Sequence, residues 1–297
     1  MVIIRHGGTI AESRQPFDSD VTYGAKFVSQ NLSDRIISFD GADVRDVLHG
    51  QTTRNFKSLD LHRPVDGAFC DIKGRVISDF TAVLTAEATV LMRVSAGVAP
   101  LLQQHLSKYL MFSKTKMTVL DWYCWGCKGI SATESIGIHI PREDGYSEVW
   151  SSTSTQPSQA ISPDEWLLFR VSRGIARINE QNVGKYLPQD LNYDLNGFID
   201  FDKGCYTGQE IIARLHYRGQ PKRRLGLLTV TSVKEPGCDD KIVEISTEKS
   251  VGSVVEAVRD DDAFLCLCEV VIDVASRDVE LCGQRARSRV FSAGNAN

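Results

Sequence analysis

Lys203-Gly204-Cys205-Tyr206-Thr207-Gly208-Gln209-Glu210 sets an ammonium, a thiol, a phenol, an amide and a carboxylate within eight residues, punctuated by two glycines. A core strand or an ordinary helix face has no use for that mixture, so the stretch reads as a site. The run Ile211-Ile212-Ala213-Arg214-Leu215 follows at once and predicts a helix. Thr207 and Glu210 have the spacing of a capping box, with Thr at N-cap and Glu at N3. Gly204 and Gly208 permit positive φ or a close approach of the backbone to another group. Cys205 then stands just ahead of a helix N-terminus and beside Lys203, and both neighbours favour a thiolate. A plainer reading stands next to this one: Glu210 only a cap, Gly204 only a turn, Cys205 a small buried hydrophobe.

Outward toward the C-terminus, Arg214, Arg218, Lys222, Arg223 and Arg224 form a basic cluster. It is either a solvated entrance to a strand or a grip for an anionic group such as a carboxylate. Short β-rich runs follow at 225–230, 242–245, 251–255 and 264–271, with turn signals such as Pro236-Gly237 between them. That spacing predicts a small antiparallel barrel over 219–297, with a boundary near Gly219-Gln220-Pro221.

Outward toward the N-terminus, 187–191 and 173–174 lead into the stretch, and Trp166-Leu167-Leu168-Phe169-Arg170-Val171 reads as a buried strand. Residues 151–159 are a Ser/Thr/Gln-rich loop between two pieces of the 31–218 region. Before it, 35–39 reads as a strand, Asp40 as the cap of a short helix that ends at Thr52-Thr53, and 66–84 as strand, tight turn and strand with Lys73-Gly74 at the tip. A third strand at 89–94, an amphipathic helix with Leu102, His105, Leu106 and Tyr109 on one stripe, and a strand at 117–120 complete the region. His105 reads as a partly buried helix-face residue. The alternation of antiparallel strands and helices predicts an α+β fold. Residues 1–30 read as a lead-in or an edge strand.

At 297 residues the chain is long for a single core, so two or three lobes are expected. A hydrophobic content of 42% with 24% charged residues is that of a soluble globular protein. The net charge of −4 argues against general nucleic-acid binding, and no apolar run has the length of a membrane span. The first twenty residues lack a signal-peptide core and carry Glu12, Asp18 and Asp20, which a mitochondrial transit peptide usually avoids, so the cytoplasm is the expected location, with the mitochondrial matrix the alternative in a eukaryote. Eight cysteines are spread thinly. Cys124-Trp125-Gly126-Cys127 is the one C-x-x-C, and without a second pair it reads as two thiols near a core rather than a metal site.

The 203–210 stretch matches the K-G-C-[FY]-x-G-Q-E signature of the YgfZ family, and on it the chain is similar to that family from about residue 31 onward. Weaker likenesses agree: Phe39-Asp40-Gly41-Ala42-Asp43, the strand–turn–strand of 67–84, Leu187-Pro188-Gln189-Asp190-Leu191, and 218–228 as the start of a C-terminal barrel. The resemblance implies T-protein-like (aminomethyltransferase-like) lobes of antiparallel sheets and helices around a tetrahydrofolate site. It further implies a part in making or repairing iron–sulfur clusters, with client enzymes or cluster carriers as partners. It assigns the functional thiol to Cys205 and shaping roles to Lys203, Tyr206, Gly208, Gln209 and Glu210. Asp79, Arg173 and Arg214 are the further candidate folate contacts. The chain departs from T-proteins at Ser78-Asp79, where those usually carry paired carboxylates; one acid remains for proton transfer at a reacting nitrogen.

Three functions follow from this reading. The first is a folate-dependent maintenance factor for iron–sulfur enzymes, in which a soft thiolate meets iron or persulfide, and one thiol shares rather than holds a cluster. The second is a folate-dependent aminomethyl or methyl transferase. The third is a folate-binding module without chemistry. A cysteine hydrolase with His216 as base is disfavoured, because His216 falls on the far side of the predicted helix turn.

Overall fold

The structure is a computed structural model, and it describes residues 32–130, 137–289 and 291. The lead-in read at 1–30 lies outside the described residues. In chain order the first strand, β1 (Asp34–Asp40), enters α1 (Val44–Gln51), then β2 (Val65–Cys70), β3 (Val76–Ala86), β4 (Thr89–Ser95), α2 (Ala99–Leu110) and β5 (Lys116–Leu120). These strands form an antiparallel sheet in the order β2-β3-β4-β1-β5. Its α1/α2 side buries Phe39, Leu48, Phe56, Phe69, Phe80, Met92, Leu102 and Leu106 in one cluster. β6 (Tyr123–Lys128), β7 (Ile138–Pro141) and β8 (Tyr146–Ser151) make a second antiparallel sheet, ordered β6-β8-β7.

Residues 166–171, read as a strand, belong to the helix α3 (Pro163–Ser172). The local signals for that helix are in the sequence. Ser162 accepts a hydrogen bond from the Glu165 amide at 3.1 Å, Pro163 starts the helix, and Asp164 and Glu165 fill its first turn. The continuous apolar run fits helix and strand equally, and the cap decides between them.

Residues 173–208 contain no strand and only one short 3₁₀ turn, Pro188–Leu191. They nevertheless supply the middle of the largest apolar cluster, through Ala176, Ile178, Tyr186, Leu191, Tyr193, Phe198, Ile199 and Tyr206. α4 (Gln209–Arg218) follows. Six strands then close an antiparallel barrel: β9 (Arg223–Val230), β10 (Lys241–Glu244), β11 (Ser250–Asp260), β12 (Ala263–Val271), β13 (Val279–Leu281) and β14 (Gln284–Arg289). Alternation along β12 serves two cores at once. Phe264, Cys266, Cys268 and Val270 join one cluster with the other inward barrel residues, while Leu265 and Leu267 pack on the 173–208 segment. The α+β fold with a C-terminal antiparallel barrel is the observed one.

Two expected caps are absent. Asp40 accepts from Ser38 and Thr89 within the sheet, and the residue ahead of α1 is Asp43, whose carboxylate ties down Lys114 and Thr115 of the α2–β5 turn instead. At α4 the N-cap is Gly208 with φ 85, not Thr207, and no side chain caps it.

Candidate functional site: a charged central cavity and a braced thiol loop

The largest sheet, the β7–β8 edge, α3 and the irregular segment converge on a cavity of about 670 Å³. β3 brings Asp79 and β4 brings Arg93; Arg142 follows β7 and Glu148 lies on β8. Trp166, Phe169, Arg170 and Arg173 come from α3 and its end, and Arg177, Asn192 and Asn196 from the irregular segment. One wall is aromatic: Phe169 stacks on Tyr146 at 4.0 Å and packs against Trp166 at 5.3 Å.

Burying charge is costly unless each group is paired, and here pairing is dense. Arg93 reaches Asp79 (3.3 Å), Glu148 (3.2 Å) and the Thr81 hydroxyl (2.6 Å). Arg142 donates to Asp66 (2.7 Å) and Glu148 (2.7 Å). Arg177 joins Asp34 (2.6 Å) to Asp79 (3.2 Å). Burial alone would raise the Glu148 carboxyl, but the guanidiniums of Arg93, Arg142 and Arg177 outweigh it and hold it below the ordinary range. Asp66 follows the same logic, with Arg142 overcoming burial. Burial opposes the charge of Arg142, and Asp66 and Glu148 reverse that and raise its pKa. Asp79 is fully engaged: Oδ1 accepts the Ile178 amide at 2.7 Å and Oδ2 faces Arg93 and Arg177. Among the described residues, four buried polar atoms of cavity residues have no hydrogen-bond partner: Trp166 Nε1, Arg170 Nε, Arg177 Nε and Asn192 Oδ1.

The 203–210 loop is a different construction. Lys203 is buried, and its Nζ donates to the carbonyls of His49 (2.5 Å), Thr52 (2.6 Å) and Arg54 (2.8 Å) at the end of α1. Burial pulls its pKa down to about 7. Three converging carbonyls at a helix C-terminus pull the other way, because only an ammonium offers three donors. The Tyr206 ring is buried under the same Nζ at 4.7 Å, and the Thr207 hydroxyl bonds Gln51 at 3.0 Å. Gly208 permits a contact that no other residue allows: a Cβ there would lie 2.4 Å from the Asp71 carbonyl of the β2–β3 turn, at a φ of 85°. Gln209 accepts the Tyr206 amide at 3.3 Å. Lys203 and Tyr206 are thus buried and Thr207, Gly208 and Gln209 half-buried, while Gly204, Cys205 and Glu210 are exposed. Of the eight thiols five are buried, two are half-buried, and Cys205 alone is exposed. It is not the small buried hydrophobe of the plainer reading. Lys203 spends its donors on backbone carbonyls rather than on the thiol.

The site residues read from sequence therefore fall in separate places. Asp79 and Arg173 line the central cavity, and Arg173 also reaches Glu143 (3.0 Å) and Asp144. Lys203 lines a second cavity of about 920 Å³, which shares Asp66 and Asn196 with the first. There His216 lies flat on Phe201 at 3.6 Å. Tyr206, Gly208 and Gln209 brace the loop, while Glu210 and Arg214 are exposed on α4 and line neither cavity. Within the basic cluster, Arg223 pairs with Glu269 (2.7 Å) and Arg224 with Asp194 (2.5 Å). Cys124 and Cys127 sit in different apolar clusters, as strand alternation requires for an odd spacing. Among the described residues no group of three or more His, Cys, Asp or Glu side chains gathers to hold a metal. No helix among them is long and apolar enough to cross a membrane.

Sequence reading missed Arg93, Arg142, Glu148 and Arg177. Arg93 carried a signal, a lone charge within the apolar run 90–94.

This arrangement of antiparallel lobes around a polar cavity, with a barrel closing the chain, has a match among solved structures. The structure matches the glycine cleavage system aminomethyltransferase T from Bartonella henselae with a TM-score of 0.67 and 14% identity, covering 88% of this chain and 84% of that one. At that identity the likeness is one of fold. No family model matches the chain. In sequence it is 28% identical over 280 residues to the tRNA-modifying protein YgfZ of Aliivibrio fischeri (strain MJ11), covering 86% of this chain and 88% of the relative. It is 27% identical over 271 residues to that of Klebsiella pneumoniae (strain 342), covering 80% and 82%. The chain is thus a homologue of the YgfZ proteins on the aminomethyltransferase T fold.

Proposed function

We propose that the protein is a tetrahydrofolate-binding factor that assists assembly or repair of iron–sulfur clusters in client enzymes, with Cys205 as its functional thiol. The observation that carries this reading is the contrast within the signature loop: the surrounding side chains are spent on bracing, and the one exposed thiol of the chain stands on that brace. A thiolate is a soft ligand for iron and a nucleophile toward persulfide sulfur. One thiol leaves most positions of a cluster to other ligands, so the cluster is cargo shared with a client or carrier. A client whose product is a modified tRNA would join this reading to the name of the relatives.

The central cavity fits a folate. Its volume is in the range of small-molecule sites, and it pairs an aromatic wall with guanidiniums. Arg173, whose partners Glu143 and Asp144 are exposed, would hold a carboxylate, and Trp166 and Phe169 the rings; Arg170 is already committed to Glu256. When bound, the reduced folate supplies a one-carbon unit at its pterin end. The network restricts what the chain's own acids do: Asp79 accepts from one amide and two guanidiniums, and Glu148 from two guanidiniums and Trp150. Neither is free as a general base, which favours binding over aminomethyl transfer. Titration calorimetry with 5-formyltetrahydrofolate tests the site. Wild type binds, and Trp166→Ala weakens binding about tenfold by removing part of the aromatic wall. Absence of binding to the wild type would overturn the folate reading. Turnover of an aminomethyl donor, lost in Asp79→Asn, would restore the transferase.

A further inference from the structure

Gly174 ends the turn after α3 with φ 69, and its bare Cα is packed by a ring from the other end of the chain. A Cβ at 174 would lie 2.9 Å from two carbons of Phe291, so only glycine lets that ring seat there. Phe291 follows the last barrel strand by two residues, is half-buried against the central cluster, and lines the central cavity. The Gly174 carbonyl also accepts the Asn196 side-chain amide at 3.3 Å. Asn196 belongs to the turn that presents Leu195, another lining residue of the same cavity and 68% exposed.

That exposure is built rather than slack. The Leu195 and Asn196 amides both donate to the Asn192 carbonyl at 3.0 Å, and the Phe198 amide closes on Tyr193 at 3.0 Å. Asn192 itself is left-handed, with φ 57, and its Nδ2 is tied to the Leu225 carbonyl of the barrel at 3.0 Å. A braced turn that holds a leucine out of the core, toward a cavity, presents apolar surface for something to cover. Leu195 and Phe291 thus reach one cavity from two elements joined at Gly174.

We propose that Leu195 and Phe291 form an apolar clamp on a planar aromatic ligand in the central cavity, which makes Phe291, two residues past the last barrel strand, part of the binding site. The identity of the ring rests on the folate reading; the clamp does not. Apolar faces on both sides of a ring add attraction that the charged floor of the cavity cannot supply.

Two probes separate the claims: 5-formyltetrahydrofolate, and 8-anilinonaphthalene-1-sulfonate as a planar anionic aromatic unrelated to folates. Affinities are measured for wild type, Phe291→Ala, Leu195→Ala and Phe291→Tyr, with thermal midpoints to show that each is folded. Each alanine variant is expected to weaken 5-formyltetrahydrofolate about tenfold, and Phe291→Tyr to stay within about twofold. Equal affinity of wild type and both alanine variants would overturn the clamp and leave the folate reading standing. Binding of the sulfonate alone, with the same dependence on Leu195 and Phe291, would keep the clamp and remove folate. Binding of neither probe by the wild type would overturn both.

Discussion

Arg93 of the central cavity and Lys203 of the 203–210 loop are buried to similar degrees, at 4% and 8% exposure. They are satisfied in opposite ways. Around the cavity, side chains answer side chains: Arg93, Arg142 and Arg177 share Asp34, Asp66, Asp79 and Glu148 across three parts of the fold. In the loop, side chains answer backbone: Lys203 holds three carbonyls, and the Thr53 and Gln189 side chains nearby hold carbonyls of Phe198 and Ile212. The first arrangement fixes a shaped, charged chamber but leaves its acids without spare capacity. The second uses up its own polar groups to hold one exposed thiol still. The proposed binding chamber and the proposed thiol-presenting loop are separable, and that division is what the following measurements break or sharpen.

The largest effect is expected from Arg93→Ala, which takes one guanidinium partner from each of the buried acids Asp79 and Glu148. Loss of one partner from a buried charge network costs about 3–5 kcal/mol, read from urea unfolding. A loss under about 1 kcal/mol would mean that the network is not a structural unit.

Acid should act on the chamber next. Glu148 and Asp66 have pKa values held below their ordinary 4.5 and 3.8 in the folded state. The stability they contribute is therefore complete above those values and is lost as pH falls through the folded ones. The urea midpoint should decline as pH drops below about 4.5, and Glu148→Gln should flatten the decline. A midpoint that does not move in acid would contradict the pairing.

Lys203→Met keeps the stem and removes three donors from the carbonyls of His49, Thr52 and Arg54. The expected cost is about 1–3 kcal/mol, with local hydrogen exchange rising at 49–54 and 203–208. An equally stable variant would show that the brace is dispensable. The smallest effect belongs to Cys205→Ser, which should leave stability within about 0.5 kcal/mol because the thiol touches little. Maleimide should label Cys205 before the half-buried Cys238 and Cys282.

The same contrast explains what the sequence revealed. The loop was legible because its chemistry is local: eight consecutive residues carry a mixture that no core needs. The barrel and the 66–95 strands were legible because alternation and turn residues recur at short range. The chamber was not, since its contacts join residues far apart in the chain. Arg93 meets Glu148 across 55 positions and Ile178 meets Asp79 across 99. A lone Arg in Thr89-Val90-Leu91-Met92-Arg93-Val94 signals a partner without naming it. The 173–208 segment has neither helical nor strand period, so its place at the centre of the core is tertiary information alone. The Trp166 run was misread for a nearer reason: its apolar continuity masked the Ser162 cap and Pro163 start that settle it as a helix. The Thr207–Glu210 box failed because Thr207 turns to Gln51 instead.

The central claim is that Cys205 is presented for function and not for folding. It is tested by deleting the endogenous protein, supplying wild type or Cys205→Ser, and measuring one iron–sulfur enzyme under oxidative stress, with the folded level of both forms shown to be equal. The account predicts that wild type restores the enzyme activity and Cys205→Ser does not. Equal rescue by both forms would contradict it, and would leave the protein as a folate-binding module whose exposed cysteine does no chemistry.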